Sequence, residues 1–138
     1  MRAGAPKPDV STVDAFKRAM LNAKSIGYLR IAGVPQLMDK LGIADAIKAK
    51  VTIPETDIVS ELVAKEELEL GIVVSTQIMT TPGVELAGQL PQEIQIYIMF
   101  AGGVSSSSKA PEAARALIDF IRGPVAAPVV SSQGMEAQ

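Results

Sequence analysis

The stretch "IGYLRIAGVPQLMDKLGI", residues 26–43, decides the predicted fold, because it reads as an apolar strand, a turn and an amphipathic helix. The strand is predicted over residues 26–31. The helix is predicted from about Val34, with Pro35 tolerated in its first turn and Gly42 as its stop. A strand that leads through a turn into a helix is the unit in which α/β proteins bind small ligands, although this turn lacks a phosphate-binding glycine pattern.

Composition restricts the class of protein. A chain of 138 residues that is 48% apolar and 20% charged is expected to form one globular domain. The net charge is −2 and the 13 Lys and Arg residues are scattered, so a nucleic-acid partner is not expected. The absence of Cys and His excludes structural zinc sites, cysteine nucleophiles and histidine acid–base chemistry. No cofactor and no metal are expected, and no apolar run is long enough for membrane insertion.

Strands and helices alternate along the chain. Helices are predicted after a capping box of Ser11 with Asp14, after a cap at Thr56, from Pro111 to the stop at Gly123-Pro124, and over residues 125–132. Strands are predicted at residues 51–53, at residues 70–74 as a central parallel strand, at an edge after the turn Pro82-Gly83, and at residues 94–100. This alternation predicts an α/β fold of three layers, a mostly parallel sheet with flanking helices.

In such a fold, ligands bind beyond the carboxyl ends of the strands, where helix N-termini present free N–H groups. Residues 31–33, 55–57 and 74–76 follow the predicted parallel strands and are therefore candidates. The alternative is that they are ordinary connections, which every fold of this kind contains. The acidic run "KEELE", residues 65–69, fits a solvated helix end better than a pair of catalytic carboxylates. Nothing in the sequence forms a catalytic constellation, so an enzyme is not expected.

Five segments, in order, resemble the periplasmic substrate-binding proteins of ABC transporters, and among them the molybdate-binding-like branch of the type 2 periplasmic binding fold. They are "KPDVSTVDAFKRAMLNAKSIGY", "LMDKLGIADAIKAK", "ELVAKEELELGIV", "PGVELAGQLPQEIQIY" and "EAARALIDFIRGPVAAPVVSSQGME", between Lys7 and Glu136. The resemblance implies that residues 8–90 correspond to the second lobe of this two-lobed family. Residues 91–138 then correspond to a return strand and helices that belong to the first lobe. The first lobe is otherwise missing, which implies a natural remnant, an internally assigned start or an excised piece.

The resemblance also implies a ligand site. The family holds an oxyanion with hydroxyls and backbone N–H groups at helix N-termini, between its two lobes. The matching positions here are Ala32 and Thr56, through their N–H groups and the Thr56 hydroxyl, and Val74, with Gly33 and Ser75 beside them. Val74 stands where the molybdate binders carry a tyrosine, and the loop after the first strand is shorter than in the family. Binding of molybdate or tungstate is therefore expected to be weak or lost.

The predicted function is a truncated or degenerate solute-binding protein of an ABC transporter, with a small oxyanion or carboxylate as its ligand and an ABC permease as its partner. The alternative is a self-associating structural remnant without a small-molecule ligand. The resemblance implies a periplasmic location, while the sequence as given begins without a signal peptide, so a cytoplasmic location is the alternative.

A homo-oligomer is expected through the C-terminal segment. Residues 94–100, taken as a strand, place apolar side chains on both faces: Ile94, Ile96, Ile98 and Phe100 on one, Tyr97 and Met99 on the other. Both faces then need to be covered, as does the helix face of Leu117, Ile118 and Ile121. Association of two copies is the simplest way to cover them.

Overall fold

The computed structural model describes residues 1–30, 33–55 and 58–135. Within this part the chain alternates between helices and strands. In chain order the elements are α1 (Val13–Asn22), β1 (Ile26–Tyr28), α2 (Val34–Lys40), α3 (Ala44–Ile47), β2 (Val51–Thr52), α4 (Val59–Ala64), β3 (Leu70–Ile72), α5 (Ser75–Thr80), α6 (Pro111–Arg122) and α7 (Ala127–Ser132). Short 3₁₀ turns cover Lys48–Lys50 and Gln92–Ile94.

The three strands form one parallel sheet in the order β2-β1-β3. Ile26 pairs with Val51 on one side and with Leu70 on the other, so β1 is the central strand. All three residues of β1 are buried, whereas in β3 only Leu70 is. The prediction that residues 70–74 form the central strand is therefore wrong. A continuous apolar run fits a parallel strand, but it does not reveal whether one or both edges are paired.

Apolar clusters lie on both faces of the sheet. The larger cluster joins α1, α2 and α3 to one face, and its most deeply buried side chains are Phe16, Ile26, Met38 and Ile47. The smaller cluster consists of Val59 and Val63 of α4 together with Leu68. Helices therefore cover the sheet on two sides, which confirms the predicted α/β fold with a parallel sheet and flanking helices.

The start of α1 differs from the prediction by one residue. Thr12 is the N-cap, and its hydroxyl accepts a hydrogen bond of 3.1 Å from the N–H of Ala15. Ser11, the predicted cap, instead donates from its hydroxyl to the Asp9 carboxylate over 2.7 Å. Asp9 also accepts the Ser11 N–H, so the aspartate engages both groups of this serine before the helix begins.

The predicted strands after β3 are wrong. The turn at Pro82-Gly83 is present, with Gly83 at a φ of 86°, but only an isolated antiparallel bridge between Arg2 and Val84 follows it. After the turn Gln92–Ile94, residues 95–100 have no regular secondary structure. A β-branched, aromatic run becomes a strand only when a neighbour pairs with its backbone, and no strand in the described part lies beside it.

The chain divides into two compact units, Met1–Ile98 and Met99–Gln138. The first contains the sheet and both apolar clusters. In the second, α6 begins at Pro111 and ends at Arg122, immediately before the predicted stop at Gly123, whereas α7 begins at Ala127 and not at residue 125. The boundary proposed from the family resemblance, after residue 90, stays a prediction.

Candidate functional site

The carboxyl ends of the three strands meet at one edge of the sheet, because the strands are parallel. We call this the carboxyl edge: residues 29–30 and 33 after β1, residues 53–55 and 58 after β2, and residues 73–75 after β3. Each of the three connections leads into a helix, namely α2, α4 or α5. In open α/β sheets this is the edge at which ligands bind.

Three of the predicted site residues lie at the carboxyl edge. Gly33 is the exposed N-cap of α2 and has a left-handed backbone, with a φ of 71°. Val74 is the half-buried N-cap of α5, and Ser75 is the exposed first residue of that helix. The other two predicted residues, Ala32 and Thr56, lie outside the described residues. The capping role predicted for Thr56 lies there too, and the N-cap position of α4 belongs to Ile58.

The helix N-termini at this edge have no side-chain caps, but they offer few backbone N–H donors. None of α2, α4 and α5 has a side-chain hydrogen bond at its N-cap. Pro35 occupies the first turn of α2 and removes one of the N–H groups that a ligand would use. The helices have only six or seven residues each. An anion at this edge therefore depends more on side chains than on helix N-termini.

A group of ionisable side chains adjoins this edge, and the sequence interpretation missed it. Tyr28 is the last residue of β1, and only 7% of its surface is exposed. Burial raises the pKa of the Tyr28 hydroxyl, the negative charge of Asp39 raises this pKa further, and the positive charge of Arg30 partly opposes both. The hydroxyl is therefore within electrostatic range of Arg30 and Asp39, and it stays protonated at neutral pH.

The sequence signal for this group is a cation placed directly after a buried strand. Arg30 follows the apolar run of β1 and is exposed. An aliphatic or small residue would be expected if the connection only packed against the core. The family resemblance implies neutral N–H donors and hydroxyls, and not this charge.

Hydroxyl and amide groups lie behind the third connection. The hydroxyl oxygens of Ser60 in α4 and Thr81 after α5 are 2.8 Å apart, and Ser60 is buried. The amide oxygen Oε1 of Gln77 in α5 is buried without a hydrogen-bond partner among the described residues. The hydrogen bond between Ser60 and Thr81 links α4 to the residue that follows α5.

A groove lies at the opposite end of the sheet. It has a volume of about 450 Å³ and is lined by residues that include Pro6, Arg18, Ala23 and Glu69. Ala23 precedes β1 and Glu69 precedes β3, so this groove opens at the amino ends of the strands. It is therefore separate from the carboxyl edge.

The described residues contain neither a metal-binding cluster nor a membrane-spanning helix. No group of three or more acidic side chains in residues 1–30, 33–55 and 58–135 is arranged to hold a metal ion. None of the helices in the same part of the chain is long and apolar enough to cross a membrane.

A single parallel sheet with helices on both faces, and a carboxyl edge from which three helices start, is the arrangement of one lobe of a solute-binding protein. The chain belongs to the family of bacterial extracellular solute-binding proteins, whose sequence pattern it matches over residues 1–136. The resemblance to substrate-binding proteins is thereby confirmed at the level of the family. Its molybdate-binding and ABC-transporter details stay predictions.

The chain is also similar to aconitate isomerase from Pseudomonas sp, with 31% identity over 140 residues. The match covers 99% of this chain and 53% of the relative, so the chain spans about half the length of that protein. No solved structure matches the chain. The expectation that the protein is not an enzyme is contradicted by this relative, which is named as an isomerase.

Proposed function

We propose that the chain is one lobe of a solute-binding protein and binds a small anion, an oxyanion or carboxylate, at its carboxyl edge. The observation that carries this proposal is the family match over residues 1–136, on a chain whose parallel sheet presents the edge used for ligands. The exposed Ser75 hydroxyl and the Arg30 guanidinium supply donors at that edge.

The proposed affinity of this chain by itself is low. A binding site between two lobes receives hydrogen bonds from both of them, and this chain carries the edge of one sheet. Each hydrogen bond to a charged ligand contributes about 1.5–3 kcal/mol, so the loss of several removes tight binding. We expect a dissociation constant for molybdate well above the micromolar range.

A panel of anions tests the proposal. Thermal unfolding is followed with increasing molybdate, tungstate, citrate and aconitate, with glucose as the neutral control and sodium chloride at matched ionic strength. Saturable stabilisation, which reaches about 2.7 kcal/mol at 100-fold excess over the dissociation constant, supports binding. If the four anions shift the unfolding temperature no more than chloride does, the proposed function is wrong.

A second candidate is an isomerase activity on aconitate, which the name of the relative favours. Conversion of cis-aconitate to trans-aconitate conserves all atoms, because an allylic proton leaves carbon and returns after the double-bond geometry has changed. Nuclear magnetic resonance of cis-aconitate incubated with the chain would detect the trans isomer directly. A rate equal to that in buffer with heat-inactivated protein would exclude this candidate and leave the binding proposal intact.

Self-association is a third candidate, favoured by exposed apolar residues in the second unit. Leu117, Phe120 and Ile121 of α6 are 58%, 56% and 48% exposed, and Val125 and Val129 are 72% and 65% exposed. Isolated apolar side chains on a surface are common, but a contiguous group on one helix is typical of an interface. Light scattering coupled to size exclusion should give a mass above that of the 14.5 kDa monomer at micromolar concentration. A monomer mass at all concentrations would contradict this candidate.

The family resemblance supplies two further proposals. One is an ABC permease as the partner of the whole protein. The other is a periplasmic location, which the family description favours.

A further inference from the structure

We propose that the groove lined by Arg18, Asn22 and Glu69 at the amino ends of the strands, called here the amino-end groove, binds a short zwitterionic peptide. Arg18 binds the carboxylate of this peptide, Asn22 binds an amide group of its backbone, and Glu69 binds its ammonium group. The groove has a volume of about 450 Å³, within the range of small-ligand sites. It is separate from the carboxyl edge, so the inference goes beyond the proposed function.

Three parts of the chain form the amino-end groove: residues 5–9 before α1, one face of α1 with its C-cap, and the residues at the start of β3. Small side chains line it on the helix side, because Ala15, Ala19 and Ala23 recur at every fourth position and so share one face. Larger side chains at these positions would fill the space between α1 and residues 5–9. The alanines therefore explain why a groove exists here.

Two of the four charged side chains in the groove already have partners. Lys7 pairs with Glu85, with 3.4 Å between Nζ and Oε2. Asp9 accepts hydrogen bonds from the hydroxyl and the N–H of Ser11, and these bonds lower the pKa of its carboxyl. The charges of Lys7 and Asp9 are therefore largely satisfied by the protein itself.

The other two charged side chains, Arg18 and Glu69, have bonding capacity left for a ligand. Arg18 is exposed and forms no ion pair with any residue that the structure describes. Glu69 uses one carboxylate oxygen, Oε2, to accept the N–H of Lys24 over 2.6 Å, which leaves Oε1 for a ligand. One free cation and one free carboxylate complement a ligand that carries both charges better than an anion or a cation alone.

The order of these groups along α1 determines the length of the ligand. Arg18 and Asn22 are one helical turn apart, about 6 Å along the axis. Glu69 lies beyond the end of α1, because it is bonded to Lys24, two residues after Asn22. Since side chains in a helix lean towards its N-terminus, the Arg18 guanidinium leans away from Glu69. A cation, an amide and a carboxylate therefore follow one another over more than one helical turn.

A zwitterionic peptide has complementary groups in the same order: a carboxylate, backbone amides and an ammonium group. Three extended residues span up to about 10 Å, whereas a free amino acid carries both charges on one carbon. The Arg18 guanidinium presents a fork of N–H groups that matches the two carboxylate oxygens. The Asn22 side chain both donates and accepts hydrogen bonds, as pairing with a peptide amide requires. A tripeptide of small residues therefore suits the groove.

Proton–nitrogen correlation spectra of the isotope-labelled chain, titrated with trialanine, test the inference, because they show which residues respond as well as the affinity. N-acetyl-trialanine lacks the ammonium charge, trialanine amide lacks the carboxylate, and alanine lacks the length. We expect saturable shifts for the backbone N–H groups of Arg18, Asn22 and Glu69. We expect none for Gly33 and Ser75 at the carboxyl edge.

The variants Arg18→Ala and Glu69→Gln each remove one charge from the groove. Glutamine keeps an oxygen that can accept the N–H of Lys24, so the end of α1 should be preserved. Lys17→Ala and Glu67→Gln are the matched controls, because these neighbouring residues carry the same charges and do not line the groove. Unchanged resonances elsewhere in the spectrum establish that each variant is folded.

Trialanine should bind weakly, because both of its ionic partners are exposed to water. Loss of one exposed ion pair should weaken binding about three- to fivefold, both in the two variants and for the two capped peptides. Arg18→Ala should not weaken trialanine amide further, since that peptide has no carboxylate. Glu69→Gln should likewise not weaken N-acetyl-trialanine further. Alanine should bind more weakly than trialanine, and the control variants should bind trialanine as wild type does.

Four outcomes would each overturn the inference. They are the absence of saturable shifts at millimolar trialanine, equal affinity for trialanine and its two capped forms, shifts at the carboxyl edge in place of the groove, and equal effects of the variants and their matched controls. None of these outcomes removes the anion site proposed at the carboxyl edge, which the anion panel tests separately. The inference and the proposed function therefore fail independently.

Discussion

Gly27 and Leu68 approach so closely that a Cβ atom on Gly27 would overlap Cδ1 of Leu68. The same added atom would lie 2.9 Å from Cγ1 of Val59 in α4. Gly27 is the middle residue of the central strand, so the absence of its side chain is what lets α4 and Leu68 pack directly on the sheet. This glycine is needed for packing and not for an unusual backbone angle.

Gly27→Ala should therefore destabilise the first unit. Overpacking of a tight core typically costs about 1–3 kcal/mol, because side chains must leave their preferred rotamers. Urea denaturation measures this loss. Gly103→Ala is the control, since no atom lies within 4 Å of its added Cβ, and it should change the free energy of unfolding by less than about 0.5 kcal/mol. Equal stability of the two variants would contradict the close packing of α4 on β1.

The pKa of Tyr28 should respond in opposite directions to two neutralising substitutions. Arg30→Ala removes a positive charge that stabilises the phenolate, so the pKa should rise further. Asp39→Asn removes a negative charge that destabilises the phenolate, so the pKa should fall towards its ordinary value of 10.0. Tyrosinate absorbance measures both shifts in a Tyr97→Phe background, where Tyr28 is the one remaining tyrosine of the two in the chain. Shifts of the same sign would show that the two charges do not both act on this hydroxyl.

The raised pKa of Tyr28 also predicts a loss of stability in alkali. A group whose pKa is higher in the folded state contributes stability that is fully present below its unfolded pKa, here 10.0, and is lost as pH rises through the folded value. Denaturation of wild type and of Tyr28→Phe on both sides of this range isolates the effect, since the lysines titrate in both proteins. The phenylalanine variant should lose less stability above pH 10.0 than wild type does.

At the start of α1, the hydroxyls of two neighbouring residues can be compared for their contributions to stability. Thr12→Ala removes the side chain that accepts the Ala15 N–H and should cost about 1 kcal/mol. Ser11→Ala removes only an exposed hydrogen bond to Asp9 and should cost less than about 0.5 kcal/mol. Thermal denaturation shows which of the two variants is less stable. The reverse order would restore Ser11 as the cap that the sequence first suggested.

The exposed face of α6 predicts that a single apolar residue supports association. Phe120→Ser should lower the mass measured by light scattering, because burial of a phenylalanine side chain contributes about 1.5–3 kcal/mol. Asp119→Ser, the neighbouring position, places the same residue in the same helix and should not change the mass. If both variants behave alike, the apolar face of α6 is not the surface of contact.

The sequence predicts those parts of the fold that depend only on residues close together in the chain. The start of α2 at Val34 with Pro35 in its first turn, and the stop at Gly42, follow from backbone chemistry, and both are confirmed. Two other features depend on which strands lie alongside. They are whether β3 is paired on one edge or on both, and whether residues 94–100 form a strand. That information is not contained in an apolar run, so both predictions were wrong.

For the candidate site, the sequence predicted the edge but missed its charged group. Val74 and Ser75 follow β3 as predicted, because every parallel strand delivers its next residues to the same edge. The proximity of Tyr28 to Asp39 could not be predicted, because it depends on how α2 folds back along β1. Arg30 was visible in the sequence, but the family resemblance implied neutral donors and not a charged one.

The central position of β1 has a consequence for synthesis on the ribosome. β1 emerges before its partners Val51 and Leu70, which follow only after several intervening helices. Until β3 has left the exit tunnel, the sheet is incomplete. The apolar side chains of Phe16, Met38 and Ile47 then lack the full surface on which they pack in the folded protein. The nascent chain must therefore pass through a long interval in which these side chains are accessible to chaperones, and pairings this distant in sequence close slowly.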